Sequence, residues 1–220
     1  MLLSHNKKFL FIAVHKTGST SVRRLLSKYC ETKATSDKKS AYFYHAKANA
    51  VKDEFMMCQY DWNSYFKFAI VRNPWDRVVS AYFYRKKMAN KWKTNPPKDK
   101  FYKDVNDSFS YELANSENFK DWVQKFLVND DKEIVTHQYK YVTDENNNII
   151  VDFIGKIENI KSDIDFIFKQ INLNDLTLPQ MNQSNRGNYI QYYDQYTTDL
   201  ISDYYSTDIN LFNYSFNDEK

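Results

Sequence analysis

Short apolar runs alternate along this chain with longer segments whose apolar residues recur every three or four positions. Phe9-Leu-Phe-Ile-Ala-Val14 is a continuous apolar run bounded by polar residues, which predicts a buried strand. After the polar stretch His15-Lys-Thr-Gly-Ser-Thr20, Val22, Leu25, Leu26 and Tyr29 fall at i, i+3, i+4 and i+7, which predicts a helix with one apolar stripe. The pattern recurs at Phe66-Lys-Phe-Ala-Ile-Val71, where Arg72-Asn-Pro-Trp75 turns the chain. Asp76 follows at a helix-capping or first-turn position, and Val78, Val79, Tyr82 and Phe83 supply the next stripe. A third unit runs from a strand over Ile149–Ile154 through Gly155 to a helix carrying Ile160, Ile164, Ile167, Phe168 and Ile171.

Strands alternating with helices predict an α/β fold with a central, mainly parallel sheet flanked by helices. Ligands of such sheets bind beyond the carboxyl ends of the strands, where the loops at 15–20 and 72–76 belong. The polar stretch 89–118, with Pro96-Pro97, breaks the alternation and reads as an insertion near an acceptor side. No repeat or low-complexity linker interrupts the 220 residues, which suit a single domain over 1–220.

Composition narrows the function classes. Hydrophobic residues make up 42% and aromatic residues 17%, enough for a packed interior. Thirty-one basic residues stand against 28 acidic ones, a net charge of +3, so a general nucleic-acid surface is not expected, while a local basic pocket for a small polyanion is. Cys30 and Cys58 cannot build a disulfide framework and fit a reducing compartment. No apolar run approaches the roughly 20 residues that span a bilayer, and Phe9–Val14 is too short for a signal-peptide core. A soluble, cytoplasmic protein is the expectation.

The segment Lys16-Thr17-Gly18-Ser19-Thr20-Ser21, between a predicted strand and a predicted helix, has the ingredients of an anion site. Helix-start N–H groups point outward, Gly18 allows close approach, Lys16 supplies a charge, and the hydroxyls add donors. A well-capped helix start accounts for the same residues without a ligand. The segment is not a Walker A loop, which needs a second glycine.

Its form resembles the 5′-phosphosulfate loop of sulfotransferases, Pro-Lys-Thr/Ser-Gly-Thr/Ser-Thr/Ser, with His15 standing where that pattern has proline. The segment Val71-Arg72-Asn-Pro-Trp-Asp-Arg77-Val-Val-Ser80-Ala-Tyr82 is similar to the 3′-phosphate motif of the carbohydrate-type branch, Val-Arg-Asn/Asp-Pro-x-x-Arg-x-x-Ser-x-Tyr. Phe153-Ile-Gly-Lys-Ile-Glu-Asn159 and Leu178-Pro-x-x-Asn182-x-Ser184 with the Tyr-rich stretch 189–205 continue the likeness, and Arg186-Gly187 faintly resembles an Arg-Lys-Gly element of related cytosolic enzymes.

The resemblance implies a three-layer, P-loop NTPase-like fold that binds 3′-phosphoadenosine 5′-phosphosulfate (PAPS) and releases adenosine 3′,5′-bisphosphate. It assigns the 5′ side to Lys16–Ser21, and the 3′-phosphate to Arg72 and Ser80 with Arg186 beside them. Lys16 would also assist the leaving group. The implied acceptor is a hydroxyl, favoured on a carbohydrate by the style of the motif.

A general base must take the acceptor proton. Relatives of the carbohydrate type carry their catalytic histidine between the two nucleotide motifs, which implies His45. His15 is the next candidate, and Asp53 or Glu54 can fill the role chemically. No Cys/His cluster has metal-ligand spacing, so no metal is expected. Two other functions remain open at this point: a P-loop small-molecule kinase, and a non-catalytic relative that binds a nucleotide or glycan. Trp62, Trp92 and Trp122 are either sugar platforms or core residues.

Overall fold

The computed structural model describes residues 1–32, 34–94, 118–128, 136–174, 176 and 186–217. Its contacts resolve into two compact units, one formed by Met1–Arg72 with His137–Ser184 and the other by Asn73–Thr136 with Asn185–Glu219.

The first unit is built on a four-stranded sheet with the order β1 (Leu2–Ser4), β2 (Phe9–Ile12), β3 (Phe66–Val71) and β4 (Phe153–Lys156). β2, β3 and β4 run parallel, with Phe9 opposite Phe66 and Phe68 opposite Phe153, while β1 pairs antiparallel with β2. β1 is too short to carry a period, and its pairing across a tight turn supplies the antiparallel edge.

The predicted first two strands stand at their expected places, but the third is displaced. Ile149 pairs in an antiparallel bridge with Thr143, and the Ile150 N–H donates to Val142 O, across a turn in which Asp144 accepts from the Asn146 and Asn148 amides. The ladder to β3 therefore begins only at Phe153.

Helices α1 (Ser19–Leu26), α2 (Ala48–Met57), α5 (Tyr139–Val142) and α6 (Ile160–Gln170) complete the unit. Alternate residues Phe9, Phe11, Ala13, Phe68 and Ile70 share a core with Val22 and Leu26 of α1 and Ile164, Ile167 and Phe168 of α6. The apolar stripes predicted from spacing are the faces that meet the sheet. Burying such side chains stabilises by about 1.5–3 kcal/mol each. Gly155 in β4 is a close approach: a Cβ there would sit 3.2 Å from the Cβ and a carboxyl oxygen of Asp163 on α6.

The second unit contains α3 (Pro74–Thr94), α4 (Phe119–Val128), α7 (Gln195–Tyr204) and α8 (Ser206–Phe212). The last residues of α3, 89–94, are helical, and the remainder of the predicted insertion, 95–117, lies outside the described residues. Trp75, Val78, Val79, Tyr82, Trp122, Tyr189, Ile201 and Tyr205 form its core. Burial lifts the phenols of Tyr193 and Tyr205 far above their ordinary value, so both are packing residues that keep their protons. Among the described residues no helix is long and apolar enough to cross a membrane.

Candidate functional site

The parallel register brings the two predicted motifs to one end of the sheet. Ile12 lies opposite Ala69, so continuing the register by three residues sets His15 level with Arg72. The Arg72 Nη1 donates to Lys16 O at 3.1 Å, which ties the start of the second motif to the turn of the first.

That turn has an unusual backbone. Lys16 has φ 65° and Gly18 φ 75°, both left-handed. Gly18 takes this conformation without a Cβ penalty, whereas Lys16 does so at a cost of about 1–2 kcal/mol. The Thr17 side chain is buried and its hydroxyl donates to Val14 O at 3.1 Å, fastening the turn from inside. Ser21 N–H donates to Gly18 O, and α1 begins at Ser19. Ser19 is buried, Thr20 exposed and Ser21 half-buried. The first-turn N–H groups of a helix have no intrahelical acceptor, and the helix dipole favours an anion there.

Gln138 was invisible to sequence reasoning. Fully buried just before α5, it accepts from the Arg72 N–H at 2.9 Å and donates to Arg72 O at 2.8 Å. One side-chain amide thus satisfies both polar groups of the residue that leaves β3. A contact between residues 66 positions apart leaves no local signal in the chain.

His45 and His15, the two histidines singled out for proton transfer, are stacked, with ring centroids 3.4 Å apart and planes inclined by 22°. His45 Nδ1 lies 2.7 Å from Ala13 O. A carbonyl only accepts, so Nδ1 carries the proton and Nε2 is the basic nitrogen of the neutral ring. Tyr42, three residues before His45, has its phenol pushed up to about 12, first by burial and then by the Glu54 carboxylate, and keeps its proton near neutrality. The other two histidines sit elsewhere. His5 lies in the β1–β2 turn, with Nδ1 2.8 Å from the Tyr65 hydroxyl and Nε2 3.4 Å from the Thr32 hydroxyl, and His137 packs against Tyr139. Asp53 is exposed on α2, and Glu54 accepts from the Cys58 thiol.

The remaining expected residues lie in the second unit. Asn73 caps α3 through its side-chain oxygen, 3.1 Å from the Trp75 N–H, with Pro74 as the first helical residue. Ser80 is half-buried on α3. Arg186 forms a buried ion pair with Asp76 and also donates to Asp76 O at 3.2 Å. Its charge is therefore met by protein. Arg77 is fully buried and donates to Thr136 O at 2.7 Å. Trp122 is a core residue, and Trp62 is half-buried edge-on to Phe55 with Lys67 over its ring. The Trp92 side chain and residues 178–184 lie outside the described residues. Among the described residues no group of three or more His, Cys, Asp or Glu side chains is placed to hold a metal ion.

Comparison with known proteins adds a family. Residues 1–215 match the sulfotransferase family. A protein of Archaeoglobus fulgidus described as "Uncharacterized protein" is 27% identical over 127 residues, covering 58% of this chain and 84% of its own length. No solved structure matches significantly.

Proposed function

Because the chain belongs to the sulfotransferase family, we propose that it transfers a sulfonate group from PAPS to an acceptor hydroxyl, with a carbohydrate as the favoured acceptor class. Family membership supports sulfotransfer in general. The donor, the acceptor, the P-loop-like character of the fold and the residue roles are our reading.

The observation that carries this reading is the contact between Arg72 and Lys16 at the carboxyl end of the parallel strands. It joins, in one unit, a residue of the expected 3′-phosphate motif to the expected 5′-phosphosulfate loop. The residues fit a small polyanion by their chemistry: a left-handed turn opening a helix N-terminus, hydroxyls at Ser19, Thr20 and Ser21, a lysine and a guanidinium.

Bound PAPS supplies an activated sulfonate, whose transfer forms one S–O bond, breaks another and releases the acceptor proton. Lys16, by charge, favours the negative oxygen that develops on the leaving side. Arg72 holds phosphate, with Ser80 as the second ligand of the motif. His45 Nε2 accepts the acceptor proton, with the tautomer set by the bond from Nδ1 to Ala13 O. Arg186, paired with Asp76 in the first turn of α3, is a further guanidinium for the 3′-phosphate on the strength of the likeness alone.

The test is transfer of label from isotopically labelled PAPS to a panel of glycans, phenols and steroid alcohols. A labelled glycan that needs both PAPS and His45 is the expected result. Label on none of the acceptors, together with labelling of the same panel from ATP, would overturn the reading.

A further inference from the structure

A second residue is built into the proton-transfer part of this site. We propose that His15 is the positioning residue for His45: its ring, stacked face to face on the base, fixes the plane of His45 and, because two cationic rings in contact repel, keeps His45 unprotonated and competent as pH falls. The inference rests on the reading of His45 as the general base.

Three features of the structure carry it. The first is the stack itself, with centroids at 3.4 Å and planes at 22°. The second is the pair's framing. Tyr141 of α5 meets His15 edge-on at 6.3 Å and Phe43 meets His45 edge-on at 6.1 Å, so aromatic walls hold the stack on both sides. The third is the anchor, His45 Nδ1 to Ala13 O, which settles which nitrogen takes up a proton and ties the ring to the chain two residues before its partner.

The charged groups around the pair bear on its protonation. Lys16 follows His15 directly, and Arg72 reaches the same turn through Lys16 O. On the His45 side Lys47 leads into α2, and Arg23 of α1 lies over the Tyr44 ring at 5.3 Å. The Tyr141 phenol is a further titratable group beside His15, and the Tyr42 phenol, three residues before His45, is pushed up to about 12 and stays protonated near neutrality. These cations add to the repulsion that a second proton meets.

Two imidazoles in contact therefore titrate as a pair, in two macroscopic steps. The first proton is shared between the rings, and the second is resisted by the first. When His15 carries the shared proton, His45 remains a base. Without a titratable ring at position 15, every proton taken up at this site falls on His45.

The experiment is an NMR titration of the imidazole nitrogens in wild type, His15→Phe and His15→Ala, with His5 and His137 as internal references. Turnover of PAPS to adenosine 3′,5′-bisphosphate with water as acceptor is followed against pH in parallel. Phenylalanine keeps a stacked ring without a charge, and alanine removes both. We expect the His45 midpoint and the acid limb of turnover in His15→Phe to move up by about one pH unit or more. We also expect the His45 Nδ1 proton to be protected from exchange in His15→Phe and to lose protection in His15→Ala. Superimposable His45 titrations in wild type and His15→Phe would overturn the proposal. So would wild-type turnover in His45→Ala, which fails the base reading and leaves the titrations themselves unaltered, so the two failures are distinguishable.

Discussion

The two ends of the parallel strands carry the same residue types and put them to different uses. At the amino end, Lys67 is buried and its ammonium is bonded to Trp62 O, Tyr65 O and the Asp152 carboxylate, at 3.2, 2.8 and 2.9 Å. His5 there has a hydroxyl within reach of each ring nitrogen. Lysine, histidine and tyrosine close on one another and lock the strand starts. At the carboxyl end, Lys16 has a left-handed backbone, as Lys8 has at the amino end, but here the two histidines stack, and Thr17, His45 and Arg72 reach main-chain carbonyls that shape a turn. Polar side chains at the first end hold structure. Those at the second are held in place around the turn that follows β2.

Substitutions separate the two uses. The largest effect is expected at the amino end. Lys67→Ala leaves the buried Tyr65 carbonyl and the partly buried Trp62 carbonyl without their ammonium donor and lowers stability by about 3 kcal/mol in denaturant titration. Its affinity for adenosine 3′,5′-bisphosphate stays within about twofold of wild type, because the two ends do not share partners. A large loss of affinity would erase the distinction.

Next comes Arg72→Ala, which reverses the pattern. Bisphosphate affinity falls by about 30-fold, or about 2 kcal/mol for a charge-assisted contact, as measured by calorimetry. Gln138→Ala is intermediate. It leaves the Arg72 N–H and C=O without their side-chain partner, costs about 1–2 kcal/mol of stability, and weakens bisphosphate binding by misplacing Arg72. His5→Ala lowers stability by about 1 kcal/mol and leaves PAPS turnover unchanged. The smallest stability effect is expected for Lys16→Gly, where relief of the left-handed strain and the entropy cost of glycine offset each other to within about 1 kcal/mol. Bisphosphate binding is nevertheless weakened, since the charge is gone. A lysine whose removal costs affinity but not stability is the counterpart of Lys67.

Much of this was legible in the chain. Phe66–Val71 is an apolar run broken only by Lys67, and the strand has those bounds. The Asn73-Pro74 pair announces the start of α3, and the Lys16–Ser21 segment opens in the turn after β2 and runs into the first turn of α1, which begins at Ser19. These features are local, so propensity and spacing report them. The third strand starts later than its apolar run predicts, because Ile149 and Ile150 are as apolar as Phe153 and Ile154. What moves the ladder is a turn around Asp144 that folds the first pair back on α5.

The contacts that define the site are not local. The His15–His45 stack and the Gln138 clamp join residues 30 or more positions apart through the sheet, and neither has a signature in the linear pattern. The Arg186–Asp76 pair is likewise non-local, joining residues 110 positions apart.

The central claim, that the carboxyl end of the sheet reads a nucleotide bearing both 3′- and 5′-anionic groups, is tested most directly by calorimetric titration of the wild-type protein. Adenosine 3′,5′-bisphosphate, adenosine 5′-monophosphate and ATP with Mg²⁺ would be compared under the same conditions. The account predicts that the bisphosphate binds at least about tenfold more tightly than either, equivalent to about 1.4 kcal/mol. Equal affinity for the monophosphate, or a preference for ATP, would contradict it.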